Sequence, residues 1–91
     1  MVIPVNNDWH ISSTPTCWQV EKYKGKRKDG SERWEPHIFC VDFKNALVAL
    51  AELQIRLIDT SVPDEIKSAI RQIRDECVSA SEVFRELDGR A

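Results

Sequence analysis

Apolar positions in the last third of the chain recur at a spacing that only a helix can bring onto one side. Ile66, Ile70, Ile73, Cys77, Ala80, Phe84 and Leu87 follow alternating steps of four and three, the seam of a coiled coil or of one helix packed on another. The pattern predicts a helix over 61–88. Pro63 fits its first turn, where a missing amide costs nothing, and Gly89 is a credible terminator. Ser61 with Asp64 three residues later matches a reciprocal cap. At 1.5 Å per residue the Pro63–Leu87 stretch is roughly 36 Å long, longer than the other helix predicted here. Part of its stripe then needs a second subunit, and a homodimer through this helix is the expected assembly.

A second helical pattern precedes it over 42–58. Asp42 is placed to cap it by accepting from the orphaned amides of the first turn. Phe43, Ala46, Leu47, Leu50, Leu53, Gln54, Leu57 and Ile58 mark its inner side. Few polar residues interrupt Ala46 to Leu53, so this helix is expected to be largely buried. The link from Asp59 to Val62 is short, which implies an antiparallel helix pair.

Period-two alternation dominates the first half. Trp9 and Ile11 alternate with His10 and Ser12 in a first strand. Thr16 to Lys24 reads as the next, with Trp18 and Val20 as the inward side. Asp29-Gly30 is a strong turn pair, because glycine tolerates a positive φ in a tight reversal. Glu32 to Val41 returns, with Trp34, Ile38 and Cys40 sharing one parity; on that parity Trp18 and Trp34 face the same way and form a cross-strand pair. Pro36 withholds a backbone donor, so this strand is at an edge or irregular there. Val2 to Val5 is left open, as an edge strand or a free arm. The fold class is therefore α+β: an antiparallel sheet of about three strands, a β-meander over 7–41, then the helix pair, in a single domain 1–91.

Ninety-one residues with 42% hydrophobic content suit one modest core. No apolar run reaches the length of a membrane span, and no basic segment followed by an apolar one opens the chain, so a cytoplasmic location is expected. Cys17, Cys40 and Cys77 are odd in number and widely spaced, which fits reduced thiols rather than a disulfide scaffold.

The formal charge of -2 hides an uneven distribution. Residues 22–33 carry six Lys or Arg against two acids, whereas 42–91 carry seven basic against ten acidic side chains. Lys22, Lys24, Lys26, Arg27, Lys28 and Arg33, with Tyr23 among them, form the candidate interaction surface. It suits an acidic protein partner, or phosphates with Tyr23 stacking on an unpaired base, and equally a solvated turn. No recognition-helix or zinc-finger pattern accompanies it.

Other chemistry is weakly signalled. His10, Cys17, His37 and Cys40 supply zinc-ligand types, but His37 and Cys40 take opposite faces of a regular strand and no close cysteine pair exists. Serines, cysteines and histidines occur without the spacing of a nucleophile and its base. Gly25 and Gly30 lack the Gly-Lys-Ser or helix start of a phosphate loop. No catalytic residue, metal or cofactor is expected, and Trp9, Trp18 and Trp34 are core or binding anchors.

Trp18-Gln19-Val20, the basic stretch to Lys28-Asp29-Gly30, Glu32-Arg33-Trp34-Glu35-Pro36-His37-Ile38-Phe39 and Asp42-Phe43-Lys44-Asn45-Ala46-Leu47 together resemble a group of small uncharacterised phage and prophage proteins. These share a Lys/Gly-rich hairpin, a Glu-Arg-Trp strand with Pro two residues after the Trp, and a capped helix. Phe43 stands where Leu is usual. The resemblance covers residues 16–58 and implies a phage or integrated-element origin in a bacterial cytoplasm. It carries no catalytic residues. The function expected is non-enzymatic protein–protein interaction; the alternative is a nucleic-acid-associated accessory role for the basic hairpin 22–33.

Overall fold

Alternation in the first forty residues builds four strands, one more than the sequence predicts. In a computed structural model, which describes residues 1–89, the order is β1 (Val2–Pro4), β2 (Trp9–Ser13), β3 (Trp18–Lys26), β4 (Glu32–Cys40), α1 (Phe43–Arg56) and α2 (Pro63–Asp88). The strands form one antiparallel sheet in the order β1-β2-β3-β4. The extra strand is the segment left open above. Pro4 is tolerated because β1 lies at the sheet edge, and Ile3 opposite Ile11 is fully buried.

Turn chemistry sets the register. The Asn6 carboxamide oxygen accepts from the amides of Asp8 and Trp9 at 3.0 and 2.9 Å, closing the β1–β2 reversal. At the β3–β4 reversal the Gly30 amide donates to the Arg27 carbonyl at 2.9 Å, with Gly30 at φ 88°, a conformation that favours glycine.

Two irregularities then move side chains between faces. Val20 stands opposite Ile38 and Glu21 opposite Pro36, so His37 is an extra residue, a bulge where Pro36 has no amide to donate. Past it the parity of β4 inverts. Trp34 pairs with Tyr23 and Trp18 with Cys40, so the expected Trp18–Trp34 pair does not form. Gly25, at φ 96°, marks a second shift between Tyr23 and Lys26.

The helices cover one sheet face. Asp42 caps α1 as expected, its carboxylate accepting from the Asn45 amide at 2.8 Å. Phe43, Ala46 and Leu50 are buried with Ile3, Trp9, Ile11, Val20 and Ala80 in one cluster. All seven seam positions of α2 are buried or half-buried. Phe84 stacks on Phe43 with centroids 4.2 Å apart, and Trp18 meets both rings edge-on at 5.5 Å, joining the end of α2, the start of α1 and the sheet. At the far end Asn6 donates to Gln54 of α1 and Glu76 of α2, each at 2.9 Å.

Three helical details differ from expectation. The Ser61–Asp64 cap is not made; Val62 is the N-cap residue, and the Thr60 hydroxyl instead accepts from the Val62 amide and donates to Glu65. Helix α1 ends at Arg56, short of 58, and α2 starts at Pro63, two residues after 61. Nor is α1 largely buried, since Val48 is 52% and Ile55 43% exposed. The inner stripe of a helix is packed by the sheet it lies on, and here a second stripe faces away from that sheet.

Candidate interaction surfaces

The basic hairpin becomes an arm. Strand β2 begins at Trp9, opposite Lys22, and the Tyr23 amide still donates to the Asp8 carbonyl at 2.8 Å, so the arm projects beyond Tyr23 with β4 as its remaining partner strand. The seven predicted residues do not make one surface. Lys22 lies on the helix-bearing face with its ammonium 5.3 Å from the Trp9 ring centre. Strand alternation puts Lys24 and Arg33 on that face too, and Arg33 pairs with the Glu35 carboxylate at 2.5 Å. Tyr23 and Lys26 take the opposite face, where Lys26 stands across from Glu32. Arg27 and Lys28 are at the tip, beside Asp29, whose carboxyl is held below the usual range by the hydroxyl and amide of Ser31. Acids thus accompany the cations along much of the arm, and the field toward a phosphate backbone is weaker than the count of cations implies.

The uncovered sheet face carries a cluster that sequence reading missed. Ser12 Oγ donates to Glu21 Oε1 at 2.6 Å, and His10 Nε2 contacts the same oxygen at 2.7 Å. Trp34 stacks on His10 at 3.8 Å and touches Tyr23 at 5.2 Å. The trio is not wired for nucleophilic attack: the carboxylate sits between serine and histidine, whereas an activated serine needs the imidazole in the middle. Its effect is to pin Trp34 flat against the sheet. The cross-strand positions 10, 12 and 21 were a detectable signal; the position of Trp34 was not, because it depends on the His37 bulge.

The same bulge changes where the two histidines stand. His37 meets Trp9 edge-on at 5.3 Å, on the helix-bearing face, while His10 is on the other. The histidines are separated by the sheet, not by strand alternation. Among the described residues no group of three or more His, Cys, Asp or Glu is arranged to hold a metal ion, and no helix is long and apolar enough to cross a membrane.

A third surface lies between the helices on the side away from the sheet. Leu47, Ala51 and Ile55 of α1 face Ile70, Cys77 and Val78 of α2 across an open groove of about 370 Å³. Val48, spaced i, i+3, i+7 with Ala51 and Ile55, continues this strip, and Val78 is 51% exposed. No protein-family model, curated protein or solved structure matches the chain. The surfaces themselves therefore carry the functional argument.

Burial, with the Glu76 carboxylate adding to it, pushes the Cys77 thiol above its ordinary value of 9.0. Cys40 moves the same way through burial, Asp42 and Cys17. The folded chain holds these protons more tightly than the unfolded one. Their contribution to stability is fully present below the unfolded thiol pKa and is lost as pH rises through the folded value. Melting temperature is expected to decline from about pH 9 upward, and Cys77→Ala to remove part of that decline in thermal melts across pH.

Proposed function

We propose that this chain is a non-enzymatic interaction protein that binds another protein through the outer side of its α1–α2 pair, an accessory role of the phage or prophage type that residues 16–58 resemble, in a bacterial cytoplasm. One observation carries the reading: the helix pair has a second apolar side. Helix packing against the sheet uses Phe43, Ala46, Leu50 and Ala80, and leaves Val48, Ile55 and Val78 in water around an apolar groove. A surface of that kind is stable in water only at a cost and is the usual mark of a docking site.

A photo-crosslinking residue at Ala51 in the native host tests this. A discrete protein adduct, identified by mass spectrometry and rebound by the purified partner, is the expected result. Adducts only from a matched position at Lys28, with none from 51, would move the contact to the arm.

A nucleic-acid role for the arm has its own support in Tyr23, Trp34 and Lys26 sharing one face. Glu21 and Glu32 stand on that face too, and His10 occupies one side of the Trp34 ring. Labelled single-stranded DNA and RNA titrated across salt separate the readings, since phosphate contacts weaken steeply with salt. No binding at low salt would remove this alternative.

A further inference from the structure

The groove has a charged wall on one side only. Lys67, Arg71 and Arg74 follow the spacing i, i+4, i+7 on α2 and are all exposed, so they form one row along the helix. Arg74 lines the apolar groove, and Lys67, Arg71 and Arg74 enclose a smaller hollow with Ile70 at its end. None of the three has an acidic partner within ion-pair distance among the described residues. The α1 wall is apolar, with Leu47, Ala51 and Ile55. A hydrophobic floor with a basic wall is complementary to a surface that is apolar on one side and acidic beside it.

Shape narrows the partner further. The floor runs from Leu47 to Ile55 on α1 and from Ile70 to Ser81 on α2. At 1.5 Å per residue these are roughly 12 and 16 Å, room for two to three turns of a third helix laid between them. Extended peptides gain most from a free strand edge, which this groove does not offer. A second copy docked groove to groove brings another Lys67, Arg71 and Arg74 and no carboxylate from its own groove lining, so it leaves the basic wall without a complementary charge.

From these features we infer that the groove receives an amphipathic helix whose apolar residues recur at helical spacing and whose flank toward α2 is acidic. The inference rests on the protein-binding reading above and specifies the partner. Apolar anchors supply affinity, while the basic wall sets orientation and selects against basic helices.

Cys77 lies in the groove and Cys17 and Cys40 lie outside it, so site-resolved thiol alkylation reports occupancy. The probes are helical peptides of about 18 residues: one with a leucine seam and a glutamate flank, one with the same seam and a lysine flank, and one with glutamates but glutamine in the seam. The glutamate-flanked leucine peptide is expected to slow alkylation of Cys77 alone, less so as salt rises. Reversal at Arg71→Glu and Arg74→Glu is expected to weaken it about tenfold and to reverse the preference between the two flanks. Both sites are exposed, and circular dichroism verifies that the doubly reversed chain folds.

Equal protection by both flanks would overturn the charge assignment while leaving an apolar docking groove. Equal protection by the glutamine-seam peptide would reduce the site to surface electrostatics and overturn it as well. No protection by any peptide would overturn the inference, and the crosslink at Ala51 then decides separately whether a protein binds there. If the chain alone protects Cys77 with rising concentration, in step with dimer formation by sedimentation, the occupant is a second copy and the inference fails.

Discussion

Ile73→Asp is expected to be severely destabilising and to lower the melting temperature far below that of the parent. Ile73 is 9% exposed and sits between the outer groove and the polar cleft beside Asn6–Asp8. The substitution removes apolar burial from the middle of α2 and desolvates a carboxylate, a cost of about 3–5 kcal/mol. Small domains have only about 5–15 kcal/mol in total. Arg74→Asp, one residue along and exposed, is expected to change stability by about 0.5 kcal/mol or less. Far-UV circular dichroism and thermal melting of the two variants give the comparison. A melt of Ile73→Asp that overlays the parent would mean that the inner stripe of α2 is not shielded from water.

Trp9→Ala is expected to cost about 3–5 kcal/mol, as full truncation of a buried aromatic does. Trp9 is 5% exposed, belongs to one cluster with Ile3, Ile11 and Val20, and has the Lys22 ammonium 5.3 Å from its ring centre. Trp34→Ala should cost less, on the order of 1–2 kcal/mol, because its ring is half-exposed and gains mainly from stacking on His10. Urea midpoints measured for both variants rank them. The opposite ranking would place Trp34 in the core and remove the His37 bulge from the fold.

That ranking is a direct consequence of one unpaired residue in β4. Read as a regular strand, Glu32 to Val41 puts Trp34 beside Trp18 beneath the helices. With His37 inserted, Trp34 moves to the uncovered face and joins the Ser12–Glu21–His10 cluster. Pro36 signalled an irregularity, but local sequence does not state which residue a bulge absorbs. That choice depends on the partner strand: Val20 and Glu21 supply the register, and burial of Trp9 and Ile11 on one side makes the shift favourable.

The groove likewise depends on what each helix packs against. Its two halves are legible separately, as Val48–Ala51–Ile55 on one helix and Lys67–Arg71–Arg74 on the next. Summing charge over 42–91 concealed the basic row, because acids on the remaining sides of α2 outnumber it. Periodicity identifies the second apolar stripe of α1 without saying what will cover it. Nothing in the spacing distinguishes a stripe covered by the sheet from one facing water.

Local chemistry alone determined the helices and most of the turns. The seam from Ile66 to Leu87, the Asp42 cap, Pro63 in the first turn of α2 and Gly30 at the arm are set by interactions within a few residues, so spacing and side-chain type suffice to read them. Tertiary structure decided which face of the sheet each tryptophan takes, which side of α1 stays wet, and that the arm's cations are divided between two faces. These outcomes turn on pairings between residues distant in sequence, where one residue of register moves every side chain beyond it to the other face.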